Sequence, residues 1–474
     1  MSNPTRFFDP LDLFLSATRT WFTQTLGTPT PPQAQGWPAI QRGDHTLILA
    51  PTGSGKTLTA FLWGIDRLFR TLQEQQEQPE HQESPSTAGT PKKGTSRKKQ
   101  KIGRAETQLL YISPLKALNN DIERNLRVPL AGIRKVAREQ GEELPSVRVA
   151  VRSGDTPSRE RQAMVRTPPH ILITTPESLY IMLTSPNARE LFHTVQTVIV
   201  DEIHTLAGSK RGVHLALTLE RLQQLADQPL QRIGLSATIQ PLDEVARYLG
   251  GAAWQEVDGE RQLVERPVTI IDGGYRKQLD LRVETVVADF RDLPGDSIWP
   301  SLIPRVSQLI NEHKTTLIFT NNRRQAERTA DRLNEQRAAE ARGESTGLLI
   351  EPLAKAVEAN DGARGSRAVA KGLGMFAAGT GTVANPIRAH HGSMSKETRL
   401  ALETDLKAGK LPALVGTSSL ELGIDIGAVD LVVQIEAPKA VAQGLQRVGR
   451  AGHLVGQTSK GRIFPTHREN VMEA

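Results

Sequence analysis

The chain repeatedly passes from a short, continuously apolar run through a turn into a longer segment of helical character. In the first half these runs are TLILA (46–50), QLLYIS (108–113), SVRVAV (146–151), HILITT (170–175), TVIVDE (197–202) and QRIGLS (231–236). TTLIFT (315–320), PALVGTS (412–418) and VDLVVQIEA (429–437) repeat the style in the second half. Strands without polar alternation are covered on both faces, as in parallel sheets joined by crossover helices. The pattern therefore predicts an α/β fold of two tandem domains, each a mostly parallel sheet flanked by helices. The first domain is expected over 1–265 and the second over 285–474. Residues 266–284, which include RPVTIIDGG, read as the linker.

Two stretches interrupt the alternation. Residues 73–106 are polar and nearly without large apolar side chains, so they cannot bury enough surface to offset ordering. They read as a disordered insertion whose second part is basic, either a solvated loop or a transient phosphate-binding arm. Residues 335–385, rich in Ala and Gly, form a second insertion, in which LLIEPLAKAVEA can be a short helix. The net charge of +7 fits an anionic partner but does not require one. Cysteine is absent, which excludes disulfides and thiolate metal sites and fits a reducing, cytoplasmic compartment. No apolar run is long enough to cross a membrane, so no membrane partner is expected. The N-terminus lacks the basic start and apolar core of a secretion signal.

LILAPTGSGKTLTAFLW (47–63) runs from strand through a glycine loop into a helix. Backbone N–H groups there can wrap a phosphate at the helix N-terminus. Thr52, Gly53, Ser54 and Gly55 form the loop, Lys56 would reach the β- and γ-phosphates, and the Thr57 hydroxyl would ligate Mg²⁺. Ala50 stands where such loops usually begin with glycine. A Gly/Ser turn that merely contains a lysine is the bland alternative. The loop gives meaning to TVIVDEIHTLAG (197–208), where an apolar strand stops at two adjacent carboxylates. Asp201 would hold the ion that bridges the nucleotide phosphates, and Glu202 would orient and deprotonate the attacking water. The expected reaction is nucleotide hydrolysis rather than transfer to a small acceptor. A small-molecule kinase would be shorter and would lack the second α/β domain. In that second domain, QRVGRAGH (446–453) places Arg447 and Arg450 on a glycine-flanked turn or helix start. Arg450 can serve as an arginine finger in cis, with Arg447 as a second phosphate contact.

APTGSGKT, DEIH, LSAT and QRVGRAGH, in this order, resemble the superfamily 2 helicases. PTPPQAQGWPAI (29–40) is similar to their adenine-reading motif, with Gln33 at the matching position. SPLKALNNDI, TTPESLYIML, DEIHTLAGSKRG, HHGSMS and TSSLELGIDIG resemble more narrowly the Lhr (large helicase-related) family. The likeness runs from about Pro29 to the C-terminus, outside the two insertions. It implies two RecA-like domains and ATP-driven 3′-to-5′ movement along single-stranded DNA. Unwinding of DNA or RNA–DNA duplexes, and a place in DNA repair, are implied with it. By position it implies that Ser113, Lys116, Thr175 and Pro176 hold the strand backbone in the first domain. Thr320, Asn321, His391, Gly392, Ser393, Thr417 and Ser418 would do so in the second. Asp425 would touch the ribose. His204, Ser236 and Thr238 would couple hydrolysis to strand grip. Hydroxyls, glycines and backbone N–H groups suit phosphate contact without base reading.

Each role has a plainer counterpart. His204 alone reads best as a strand-end histidine, Ser236 and Thr238 can cap a helix starting near PLDEVARYL, and Arg447 can be a surface charge. The HHGS pair carries little metal expectation, because adjacent side chains diverge and no acidic partner lies close by. His453 stands where many superfamily relatives have a further arginine, which favours Arg450 as the finger. The chain stops in what reads as a helix just beginning, so a truncated frame is expected. A strand-binding ATPase that does not unwind, or an RNA-remodelling enzyme, would use the same motifs.

Overall fold

The structure, a computed structural model, describes residues 8–51, 53–77, 106–114, 116–237, 241–274, 278–343, 387–421, 427–452 and 457–474. The chain divides into two compact units, Met1–Tyr275 and Arg276–Ala474. The first unit carries β1 (His45–Leu49), β2 (Leu109–Ile112), β3 (Val149–Arg152), β4 (Ile171–Thr174), β5 (Thr197–Val200) and β6 (Gln231–Ser236). A hairpin, β7 (Ala252–Val257) and β8 (Glu260–Glu265), precedes β9 (Val268–Asp272). The main sheet runs β3-β4-β2-β5-β6-β1-β9 and its strands pair in parallel.

Continuous apolarity has the expected cause. Leu47, Leu49, Leu110, Ile112, Val198 and Val200 enter one core. Their sequence neighbours Ile48, Leu109, Tyr111 and Ile199 enter the core on the opposite face. Side chains alternate across a strand, so a sheet covered on both sides needs apolar residues at every position. The second unit contains β10 (Leu279–Val283), β11 (Thr316–Phe319), β12 (Arg388–His390), β13 (Ala413–Gly416), β14 (Leu431–Ile435) and β15 (Ser459–Phe464). Its order is β10-β15-β14-β11-β13-β12, again parallel throughout.

The expected linker is largely sheet. Within 266–284, β9 pairs with β1 along its whole length and β10 pairs with β15. The flanking proline and glycines concealed two β-rich runs, VTIID and LDLRV. The β7–β8 hairpin was also unforeseen, although its turn, Asp258-Gly259, is a strong local signal. Both residues have positive φ, 54° and 81°, as a type I′ turn requires. The expected insertions begin later than sequence suggested. Helix Lys56–Glu77 covers the start of the first, and helix Arg323–Ala341 the start of the second. The remainder of both, with LLIEPLAKAVEA, lies outside the described residues. Among those residues no helix is long and apolar enough to cross a membrane.

Two histidines, the half-buried His45 and the buried His170, tie strand starts to their neighbours. His45 Nδ1 accepts the Arg232 N–H at 3.1 Å, and His170 Nδ1 accepts the Arg148 N–H at 3.1 Å. A ring nitrogen that accepts is unprotonated. Burial first, then Arg232, pushes His45 down to about 4. Burial first, then Arg148, does the same to His170, also to about 4. The unfolded chain titrates these groups near 6.5 and so takes up protons first as pH falls. Their stabilisation is complete above that value and is lost between 6.5 and about 4. Denaturant midpoints should therefore drop between about pH 7 and about pH 5, less steeply in His45→Gln and His170→Gln. Equal slopes in wild type and variants would remove the histidines as the cause.

Candidate active site

The phosphate loop leaves β1 and is clasped from the N-terminal side. Thr30 donates its N–H to Gln33 Oε1 at 2.8 Å and its hydroxyl to the Ser54 carbonyl at 2.9 Å. Gln33 is thereby fixed against the loop. Gly55 has φ 83°, and a Cβ there would come within 2.7 Å of Gln33 Nε2. Glycine at this position is required twice, by backbone and by space. Ser54 donates its hydroxyl to the Pro51 carbonyl at 2.7 Å. Thr57 follows Lys56 at the start of helix Lys56–Glu77. Thr52 lies outside the described residues.

Lys56 is buried. Its Nζ is 3.4 Å from the Ala50 carbonyl oxygen and 3.9 Å from Glu202 Oε1. Asp201 continues the β5 ladder by donating its N–H to the Ile112 carbonyl at 2.9 Å. Its two carboxylate oxygens take different donors: Oδ1 accepts the Glu202 N–H at 2.8 Å, and Oδ2 accepts the Tyr111 hydroxyl. Glu202 then turns with φ 46°, a left-handed conformation rare outside glycine. The turn sends its carboxylate toward Lys56 and away from the strand direction. Burial, and then the Glu202 charge, raises Asp201 to about 6. Two buried carboxylates facing one lysine are short of positive charge. That deficit, beside a loop built for phosphate, fits a divalent cation carried in with a nucleotide. Among the described residues no cluster of three or more His, Asp or Glu forms a metal cage. An ion held by one carboxylate, one hydroxyl and substrate phosphates needs none.

His204 opens the short helix His204–Ala207. Its Nδ1 accepts the Ala237 N–H at 3.3 Å and lies 3.2 Å from Ser236 Oγ. Its Nε2 lies 3.5 Å from Glu202 Oε2. With Nδ1 accepting, the proton sits on Nε2 and faces the carboxylate, and burial, the first cause, holds the ring neutral. The side chain therefore joins Glu202 to the end of β6. Ser236 does not cap helix Leu242–Gly250, whose N-cap is Pro241 without a side-chain bond. Thr238 lies outside the described residues. If nucleic acid stimulates ATP turnover, as the resemblance implies, His204→Ala should leave a folded chain in which that stimulation is reduced. A loss of stimulation of about 5- to 50-fold, with basal turnover less affected, is expected from steady-state assays with and without oligonucleotide.

The other first-unit positions sit where strands end. Ser113 is buried and donates its N–H to the Thr174 carbonyl at 2.9 Å. Thr175 caps helix Pro176–Thr184, its Oγ1 accepting the Ser178 N–H at 3.4 Å. Lys116 opens helix Lys116–Glu139.

The second unit holds its own polar group at the carboxyl ends of β11, β13 and β14. Arg447 is buried with its guanidinium over the Phe319 ring at 5.1 Å. It donates to Gln434 Oε1 at 2.7 Å and to Asn321 Oδ1 and Glu421 Oε2, each at 3.4 Å. Its buried Nε finds no acceptor among the described residues. Arg447 is thus no surface charge. Arg450, also buried, donates to the Glu421 backbone carbonyl from Nη2 at 2.6 Å and from Nε at 3.1 Å. Thr320 donates its hydroxyl to the Asn322 carbonyl at 3.2 Å, and Thr417 donates its N–H to the His390 carbonyl at 3.3 Å. Ser418 begins the turn Ser418–Leu420. Asp425 and His453 lie outside the described residues.

The histidine pair corrects one sequence argument. The rings do diverge, but each meets a carboxylate: His390 Nε2 lies 3.0 Å from Glu403 Oε1, and His391 Nε2 lies 2.9 Å from Glu327 Oε1. The acids come from helices distant in sequence, which local inspection cannot pair. Ser393 donates its N–H to His391 Nδ1 at 3.4 Å, accepts from Arg323, and flanks Gly392. Sequence reading also missed Tyr111, Glu421, Gln434 and Glu436. Gln434, a polar residue inside an otherwise apolar strand, was the available signal.

Residues 30–245 match the DEAD/DEAH box helicase family, and residues 380–454 match the helicase conserved C-terminal domain. An "Lhr helicase/ probable uracil glycosylase" of Mycolicibacterium smegmatis is 49% identical over 98% of the chain. The chain belongs to the Lhr helicase family. It spans 27% of that relative's length and 45% of the "ATP-dependent helicase Lhr-Core protein 2" of Thermococcus barophilus, to which it is 42% identical over 98% of its own residues. The structure of Mycobacterium smegmatis helicase Lhr bound to ssDNA and AMP-PNP superposes with a TM-score of 0.74 at 47% identity. That match covers 98% of this Lhr-family chain and 49% of the other. The two parallel sheets are accordingly those of tandem RecA-like domains.

Proposed function

We propose that this chain is an ATP-dependent translocase that hydrolyses ATP and moves along single-stranded DNA. The observation that carries the reading is the contact series Lys56–Glu202–His204–Ser236, which links a phosphate-binding lysine, a candidate base and the end of β6. The family relative bound to ssDNA and AMP-PNP supports the choice of ligands.

Lys56 exchanges its contact with Glu202 for the β- and γ-phosphates, and Gln33 lies beside the loop to meet the adenine. Thr57 and Asp201 would hold Mg²⁺, which would supply positive charge against that developing on the phosphates. Tyr111 and the Glu202 N–H fix the Asp201 carboxylate. Glu202 orients a water and accepts its proton. Arg450 and Arg447 are the positive groups offered to the γ-phosphate, with Asp425 offered to the ribose. Ser113, Lys116, Thr175 and Pro176 grip the strand in the first unit. Thr320, Asn321, His391, Gly392, Ser393, Thr417 and Ser418 grip it in the second. Through His204, Ser236 and Thr238 respond to the state of Glu202.

Movement 3′ to 5′ and unwinding of DNA or RNA–DNA duplexes are the finer parts of the proposal, as is work in the cytoplasm. The test is ATP turnover with no strand, single-stranded DNA or single-stranded RNA, run beside displacement from 3′- and 5′-tailed duplexes. Turnover stimulated by DNA, with displacement only from the 3′ tail, is expected. Stimulation without displacement would reduce the chain to a strand-binding ATPase, and RNA as the stronger activator would make it an RNA-remodelling enzyme. No stimulation by either strand would refute the reading.

A further inference from the structure

A continuous hydrogen-bonded chain crosses the carboxyl ends of β14, β11 and β13 in the second unit. Glu436 begins it. Its Oε1 accepts Gln325 Nε2 at 2.8 Å and its Oε2 accepts Asn321 Nδ2 at 3.1 Å. Asn321 Oδ1 accepts from Arg447 at 3.4 Å. Arg447 reaches Gln434, which lies beside Phe319 in strand register, and Glu421. Glu421 Oε2 also accepts Gln443 Nε2 at 3.0 Å, and its backbone carbonyl takes both contacts from Arg450.

We propose that Glu421 and Glu436 are positioning residues that fix Arg447 and, through it, join two strand-gripping loops to the arginine-bearing helix. The proposal rests on the translocase reading above and adds residues that reading does not use. Three observations carry it. The chain joins Asn321, which follows Thr320, to Glu421, which lies three residues after Ser418, and both loops end strands of one sheet. A displacement of either loop must therefore change an acceptor of Arg447. Second, Glu436 adopts φ 68°, a left-handed backbone that a non-glycine residue holds only when its surroundings enforce it. Its carboxylate supplies the reason, since it meets two amides at once. Third, one residue, Glu421, serves Arg447 with its side chain and Arg450 with its backbone. Arg447 donates from Nη1 to Asn321 and Gln434 and from Nη2 to Glu421, so both ends of its fork are held by these residues.

The test uses the full chain, ATP and a single-stranded DNA oligonucleotide. Glu421→Ala and Glu436→Gly should each lower strand-stimulated kcat by about 10- to 100-fold. Glycine is chosen at 436 because it adopts left-handed backbone without strain. The Kd of a fluorescent ATP analogue should stay within about threefold, because the phosphate loop is untouched. Adding either substitution to Arg447→Ala should cause no further loss, since a residue that acts through Arg447 has nothing left to position. Glu421→Gln and Glu436→Gln retain an acceptor and should keep turnover within about tenfold of wild type. Should the alanine or glycine variant melt below the assay temperature, the same comparison is made at a lower temperature at which its melting curve shows it folded. Losses that multiply with Arg447→Ala, or unchanged turnover in the single alanine and glycine variants of an active chain, overturn this proposal alone. A wild-type chain indifferent to the strand overturns it together with the translocase reading.

Discussion

Glu202→Gln is expected to stop ATP turnover almost completely while nucleotide binding survives. The amide keeps the shape of the side chain and the left-handed turn that presents it, but it cannot accept a proton. A positioned general base contributes about 10²- to 10⁴-fold, so phosphate release should fall by that order. Binding should not fall with it. The Glu202 charge raises the Asp201 carboxyl, and Glu202 is one of two acids sharing Lys56. Removing that charge lowers Asp201 toward its ordinary range and leaves Lys56 to the phosphates. The Kd of a fluorescent ATP analogue with Mg²⁺ should therefore match wild type or tighten. Turnover within about tenfold of wild type would remove Glu202 from the role of base. Loss of binding together with turnover would recast it as a partner that merely positions Lys56.

The division between what sequence told and what it withheld follows interaction range. The α/β class was readable because burial on both faces acts on every residue of a strand, as Leu47 and Ile48 entering opposite cores show. Gly53–Thr57 and Asp201-Glu202 could be named as candidates because phosphate and metal chemistry prescribe residue types at fixed local spacing, and the structure brings Lys56 within 3.9 Å of Glu202. What failed was long-range pairing. Nothing in LLYIS announces that Tyr111 will donate to a carboxylate 90 residues away. Glu327 and Glu403 were invisible as histidine partners for the same reason. The two strands inside 266–284 went unseen because Pro and Gly punctuate strands as well as connections, although the boundary between the units, Tyr275/Arg276, does fall in that span. VTIID and LDLRV satisfy strand pairing only once partners at β1 and β15 exist. His204 lies between these cases. Its identity and its Nε2 contact with Glu202 are local, but its Nδ1 contacts depend on the end of β6.

Arg450→Ala should cost far more activity than stability, and the ratio decides what the residue is for. As a structural side chain, Arg450 pins the Glu421 carbonyl with two donors at 2.6 and 3.1 Å. Leaving a buried carbonyl without its donors costs about 1–3 kcal/mol, which a melting experiment reads directly. As an arginine finger it acts on charge that develops during phosphoryl transfer, where its removal costs about 10³- to 10⁵-fold in rate. A purely structural role predicts a lower melting temperature and near-normal turnover in the folded fraction. The finger role predicts kcat and kcat/KM falling together by the larger factor, with nucleotide Kd little changed. Arg450→Lys sharpens the distinction. A single ammonium can meet the Glu421 carbonyl or a phosphate oxygen, but it lacks the fork that addresses two acceptors at once. It should restore most of the melting temperature and little of the turnover. Recovery of both would show that charge alone at this position suffices, and recovery of turnover without stability would separate the phosphate contact from the carbonyl contact.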